Sequence, residues 1–201
     1  MFDARLEHYR ALLEHLGLLP LADRRILDLG CGNGNWLDVC CRRWGAQEEL
    51  CFGADLRADL FPLWRQQHPA SRITLVSRPA HELDFPDASF DVLHQSMMLS
   101  SVPHAGLRER IAATMWRLLR PGGTLISYDF WINPVNPKTV GVTGRSLRRL
   151  FPEARWEWAR TITVAPPLCR LLNRLSASIA VFLEPLRILN THYLVAMTKR
   201  E

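Results

Sequence analysis

No two of the five cysteines stand at C-x-x-C spacing: Cys40 and Cys41 are adjacent, and Cys31, Cys51 and Cys169 are scattered. That arrangement offers neither a zinc site nor the spaced framework of a secreted disulfide domain, and it points to a reducing compartment. No segment is long and apolar enough to span a bilayer. The first nineteen residues intersperse Asp3, Arg5, Glu7, Arg10 and Glu14 among apolar residues at helical spacing, unlike the unbroken apolar core of a signal peptide. A cytoplasmic protein is expected. Repeats and low-complexity tracts are missing too, and lysine is almost so, with Lys138 and Lys199 alone among 25 basic residues.

What is present suits one globular domain, residues 1–201, with a full core: 48% of the chain is hydrophobic. The formal charge of +5 is unevenly spread. Residues 130–201 hold eleven Lys or Arg against four acids, a balance of +7, and residues 1–129 carry −2. A basic C-terminal third attracts phosphate, an acidic substrate or an anionic membrane face, or is simply a solvated arginine-rich surface.

Short β-rich runs alternate with helical periods, the pattern of a parallel sheet covered on both faces. Strands are expected at 25–30, 50–55, 72–77, 90–95 and 123–129. The helix from about Ala105 to Leu119 puts Leu107, Ile111, Met115 and Leu118 on one face, and Pro121-Gly122-Gly123 stops it. Beyond, a short helix is expected near 145–151, a strand near 155–164, a long apolar helix over 168–183 and a last strand at 192–198.

The run Ile26-Leu27-Asp28-Leu29-Gly30-Cys31-Gly32-Asn33-Gly34 joins a buried strand, an acid and three close glycines in one turn. Glycine lets the backbone approach a ligand that a side chain would hold off, and the helix beginning near Asn35 turns its free amides toward that ligand. A dinucleotide fingerprint, G-x-G-x-x-G, would need glycine where Asn35 stands. Asp55, about 20 residues past the turn, suits two ribose hydroxyls, since a carboxylate can accept from both.

With Asp28 two residues before Gly30, the run resembles motif I of the class I S-adenosylmethionine (SAM) methyltransferases. Two further stretches resemble the same family in order and spacing: Glu82-Leu83-Asp84-Phe85-Pro86-Asp87-Ala88-Ser89-Phe90-Asp91-Val92 before the fourth strand, and Leu118-Leu119-Arg120-Pro121-Gly122-Gly123-Thr124-Leu125 into the fifth. The resemblance implies a Rossmann-like, doubly wound α/β fold with a seven-stranded, mostly parallel sheet of order 3-2-1-4-5-7-6. It implies methyl transfer from SAM, leaving S-adenosylhomocysteine, with Asp28, Gly30, Cys31, Gly32, Asn33, Gly34, Asp55, Leu56, Ala80, His81 and Gln95 around the cofactor. The chain departs from the family pattern at Pro79, where an acid usually takes the adenine amino group; backbone near Ala80 or the His81 side chain is expected to substitute, unless His81 is a surface-loop histidine.

The family places a base, when it uses one, after the fourth or fifth strand. The histidine pair common there is replaced by Ser100-Ser101, which leaves His104 and Asp129 as candidates. Asp129 is the stronger, standing at a strand's C-terminal end, where ligands bind in open α/β sheets; its other reading is a cap or arginine partner. Trp131 and Tyr128 are read as acceptor-pocket walls or as packing, and His94 as a core residue. No acid lies between Gln95 and His104, so no metal is expected, and nothing resembles the (N/D)PPY loop of base-flipping enzymes, so nucleic acid is not expected. The acceptor is expected to be a small molecule or glycoconjugate, methylated on oxygen rather than nitrogen. Residues 165–190 read as a helical insertion between the last two strands: a lid, a dimer contact, or a peripheral membrane contact through 168–183. An NAD-type oxidoreductase and a non-catalytic SAM-fold binding protein are the competing readings, and the oligomeric state is left open.

Overall fold

The computed structural model describes residues 2–133, 136, 139–164 and 190–201; the expected helix at 168–183 lies outside the described residues. The seven strands are β1 (Ile26–Leu29), β2 (Cys51–Asp55), β3 (Thr74–Ser77), β4 (Phe90–Ser96), β5 (Leu119–Phe130), β6 (Arg155–Val164) and β7 (Asn190–Thr198). They form one sheet in the order β3-β2-β1-β4-β5-β7-β6, the order the resemblance implied. β1 to β5 run parallel, and β7 lies antiparallel between β5 and β6.

Side chains alternate between the faces of a strand, so neighbouring residues serve different layers. Ile26, Val92, Ile126 and Ala196 pack with Leu12, Leu37, Cys40 and Trp64 from α1 (Phe2–His15), α2 (Asn35–Trp44) and α3 (Phe61–Gln67). Leu27, Leu93, Leu125 and Met197 pack instead with Ile111, Met115 and Leu147 from α4 (Ala105–Leu118) and α5 (Gly144–Leu150). The sheet is therefore covered on both sides, which explains why β1 is buried at all four positions.

Three strand starts differ from expectation by more than a residue, and the first is β3, which begins at Thr74 rather than 72. α4 ends at Leu118 and the chain is extended from Leu119, so β5 starts four residues before the expected 123. Its first residues pair irregularly with β4, with a register shift between Phe90 and Val92. The Gly122 amide donates to Lys199 O at 2.9 Å, and the Lys199 amide donates to Gly123 O at 3.0 Å, so backbone bonds to the chain's end hold the Pro-Gly-Gly segment. β7 likewise starts at Asn190, two residues early. Among the described residues no helix is long and apolar enough to cross a membrane.

The strand order reverses between β1 and β4. β1 continues outward to β2 and β3, and β4 starts the other half, so the connections leaving the C-terminal ends of β1 and β4 diverge and open a crevice.

Candidate active site

The glycine turn fills one side of that crevice. Gly30, Gly32 and Gly34 have φ of 73°, 56° and 80°, the left-handed region that glycine adopts without steric penalty. The turn is tied to the neighbouring strand, since the Gly30 and Cys31 amides both donate to Ala54 O, at 2.8 and 3.2 Å. At Gly30 space as well as conformation demands glycine: a Cβ there would lie 2.9 Å from Met98 Cβ.

Asp55 ends β2 beside this turn. Its Oδ2 accepts from the Gly32 amide at 2.8 Å and its Oδ1 from the Arg57 amide at 2.8 Å, so both oxygens are fixed by backbone. A carboxylate has about four acceptor sites. Two such bonds leave room for a pair of ligand hydroxyls.

A cavity of ≈380 Å³ opens at this point, lined among others by Gly30, Asp55, Leu56, Ala80, His81 and Met97. Its volume falls in the range of about 300–1,000 Å³ typical of small-molecule sites. Pro79 also lines it, at the position where an acid was looked for, and the half-buried His81 ring approaches Glu82 at 3.3 Å. The far end reaches Ser96, the last residue of β4, and Met98, Ser101 and Val102 on the loop after it.

Several residues expected in the cofactor set are not on the cavity wall: Asp28, Cys31, Gly32, Asn33, Gly34 and Gln95. Gly32 still contributes through Asp55, and Gly34 begins α2. Cys31 is buried, and desolvation with the nearby Asp28 and Asp55 charges keeps its thiol protonated. Asp28 is turned inward, 3% exposed, with Oδ1 2.7 Å from His94 Nδ1. The other ring nitrogen, Nε2, lies 2.8 Å from the Tyr9 hydroxyl, and Trp36 stacks on the imidazole at 3.7 Å with 9° between planes. Tyr9, His94 and Asp28 therefore form a buried chain from α1 through β4 to β1. The β1–β4 register places Asp28 opposite His94, so that half is implied by the pairing. Nothing in the sequence near Tyr9, 85 residues from His94, signals the other half.

The expected bases are not on the cavity wall either. Asp129 is 1% exposed. Its Oδ2 accepts from the Ser100 amide at 3.1 Å and from Gln95 Nε2 at 3.3 Å, and its Oδ1 from the Phe130 amide at 2.8 Å. Burial pushes its carboxyl up to about 6 despite those bonds, which favour the ionised form. Gln95 is also fully buried; its Oε1 accepts from the Met98 and Leu99 amides at 3.0 and 3.3 Å, and its Nε2 donates to Ser127 Oγ at 2.6 Å. Gln95 and Asp129 thus brace the loop after β4 from behind, an arrangement that the strand-end position of Asp129 does not reveal. His104 is exposed at the start of α4. Tyr128 is buried, stacked on His192 with 4° between planes, and its hydroxyl pairs with Thr163 Oγ1 at 2.9 Å, so it packs within the core. At the C-terminal ends of β4 and β5, Met97, Trp131 and Ile132 are 36%, 38% and 46% exposed.

A glycine turn at the switch point, a backbone-held carboxylate on the next strand and a cavity of this size define an α/β protein with a nucleoside-cofactor site. Residues 26–123 match the family model for a methyltransferase domain. The chain is 33% identical over 123 residues to the 27-O-demethylrifamycin SV methyltransferase of Amycolatopsis mediterranei, a match covering 59% of this chain and 43% of that protein. It is 33% identical over 110 residues to the ubiquinone/menaquinone biosynthesis C-methyltransferase UbiE of Stutzerimonas stutzeri, covering 53% and 41%. The chain spans less than half the length of these curated relatives. A SAM-dependent methyltransferase from Mesorhizobium loti shares the fold, with TM-score 0.68, 17% identity and coverage of 94% of this chain and 96% of that one. Together the matched methyltransferase domain and the shared fold support a class I SAM-dependent methyltransferase with SAM as its cofactor.

Proposed function

We propose that this protein transfers a methyl group from SAM to an oxygen of a small, largely apolar acceptor. The observation that carries the reading is the continuity of the cavity. It joins the fixed Asp55 carboxylate and the Leu56–Ala80 region at one end to Met97 and Ser101 at the other. Asp55 would hold the ribose hydroxyls, Gly30 would let the backbone approach the cofactor, and Leu56, Ala80 and His81 would border the base. SAM supplies an already activated methyl group as its sulfonium. The protein's task is then to position the acceptor and exclude water, and holding two reactants in line is worth up to about 7–11 kcal/mol of barrier.

Asp28 acts one step back in this reading. Locked to His94, it fixes β1 immediately before the glycine turn. Asp129 and Gln95 act on the acceptor side in the same way, by holding the amides of residues 98–100.

The exposed Met97, Trp131 and Ile132 favour an apolar small molecule over a glycoconjugate, because they offer a greasy rim where the acceptor would enter. Relatives named for 27-O-demethylrifamycin SV and for ubiquinone/menaquinone biosynthesis support a small-molecule acceptor in kind; the first is consistent with oxygen, and the second is named for transfer to carbon. Incubation with methyl-labelled SAM and a panel of apolar phenols, quinols and glycosides tests the proposal. Label should pass to the apolar hydroxyl compounds; transfer confined to glycosides or to amines would overturn the acceptor assignment.

A further inference from the structure

We propose that Cys41 and Cys51 form a reversible oxidation site, at which a hydroperoxide converts the two thiols into an intramolecular disulfide. Cys41 lies in the last turn of α2 and is partly exposed; Cys51 opens β2 and is buried. Their sulfurs are in contact at 3.7 Å, although ten positions separate them in sequence. A disulfide needs about 2.05 Å, so the sulfurs must close by about 1.6 Å.

The two thiols are not equivalent. The hydrogen bond shared with Cys51 lowers the Cys41 pKa below the ordinary cysteine range against opposing burial and the nearby Glu48, Asp38 and Glu49. The same bond and burial keep the proton on Cys51. A partly exposed thiol of lowered pKa in contact with a buried partner thiol is the arrangement of a redox-sensitive pair. Cys40 and Cys31 are 0% and 8% exposed, so among the described cysteines Cys41 is the one that a solvent oxidant reaches most readily.

In the first step the Cys41 thiolate attacks the terminal oxygen of the hydroperoxide. The O–O bond breaks, Cys41 becomes a sulfenic acid, and the departing alkoxide takes a proton from water. In the second step the Cys51 sulfur attacks the Cys41 sulfur. The S–O bond breaks, and the leaving hydroxide takes the Cys51 proton. Two thiols and one hydroperoxide thus give one disulfide, one alcohol and one water, and a thiol reductant reverses the change by exchange at Cys41. The bond would clamp α2, which follows Gly34, to β2, which ends at Asp55. This site is independent of the methyltransferase reading.

The test treats the reduced full chain with a small excess of hydrogen peroxide, removes it, and counts thiols after denaturation. The count should fall from five to three and return with dithiothreitol. Trypsin cuts at Arg42 and Arg43, so Cys41 and Cys51 fall in separate peptides that only a disulfide can join. Cys41→Ser should hold its four thiols under the same treatment, and Cys51→Ser should yield a dimedone adduct at Cys41. A parent count that stays at five, a cross-link through Cys40 instead, or equal thiol loss in Cys41→Ser each overturns the proposal. Cys41→Ser alone decides the matter if Cys51→Ser does not fold.

Discussion

Replacing His94 by leucine tests whether Asp28 is an internal brace. In the parent, His94 is 1% exposed and its ring bridges Asp28 Oδ1 at 2.7 Å and the Tyr9 hydroxyl at 2.8 Å. Leucine nearly fills the ring's space but supplies neither hydrogen bond. A carboxylate that is 3% exposed is left without its partner, which costs about 3–5 kcal/mol. The abandoned tyrosine hydroxyl adds about 1 kcal/mol. A domain of ordinary stability has only about 5–15 kcal/mol in total, so His94→Leu should lose about a quarter of it or more. Tyr9→Phe removes a hydroxyl and no charge partner, and should cost about 1 kcal/mol. Adding Asp28→Asn to His94→Leu should recover part of the loss, because the buried group no longer carries charge. Urea unfolding followed by fluorescence of the seven tryptophans measures the parent and all three variants on one scale. A His94→Leu penalty under 1 kcal/mol, or no recovery in the double variant, would refute the brace.

Three further expectations concern Gly30, Asp55 and the buried His192. Gly30→Ala places a Cβ 2.9 Å from Met98 Cβ at a φ of 73°, and should cost about 1–2 kcal/mol and weaken SAM at least tenfold by calorimetry; parent-like affinity would remove Gly30 from the cofactor wall. Asp55→Ala should weaken SAM by at least about tenfold, some 1.4 kcal/mol, with a smaller effect on unfolding, since the amides it releases lie in a turn near solvent. Burial lowers the His192 pKa to about 4, so as pH falls from 6.5 the unfolded chain takes a proton that the native state refuses. Stability from this group is full above pH 6.5 and drops by about 3 kcal/mol by pH 4. Asp129, raised to about 6, works oppositely, binding its proton first in the native state as pH falls from 6. Subtracting the profile of His192→Phe from that of the parent cancels Asp129, and the difference should move about 3 kcal/mol in the variant's favour between pH 7 and 4; a flat difference would exclude the His192 effect.

The strands and the glycine turn were legible from local signals, β-rich runs near 26–29, 51–55 and 90–96 and a turn that a strand-to-helix junction explains, whereas the strand order came from the family resemblance. The direction of Asp28 was not legible. β1 is buried on both faces, so no polar alternation marks which side faces the ligand, and the partner that fixes Asp28 comes from β4 and, through it, from α1. Asp129 illustrates the same limit. Its place at the end of β5 is read from sequence, but its partners are the amides of Ser100 and Phe130 and the amide side chain of Gln95, and backbone amides leave no trace in residue identity. Conversely, the Gly32–Asp55 link joins two residues singled out in advance, because a turn and the end of the adjacent parallel strand must meet.

Titration calorimetry of the reduced protein with SAM, S-adenosylhomocysteine and NAD tests the cofactor site most directly. SAM and S-adenosylhomocysteine should bind at one site per chain, both should weaken in Asp55→Ala, and NAD should give no heat of binding. Binding of NAD, or no binding of either adenosyl compound to a protein that unfolds cooperatively, would contradict it.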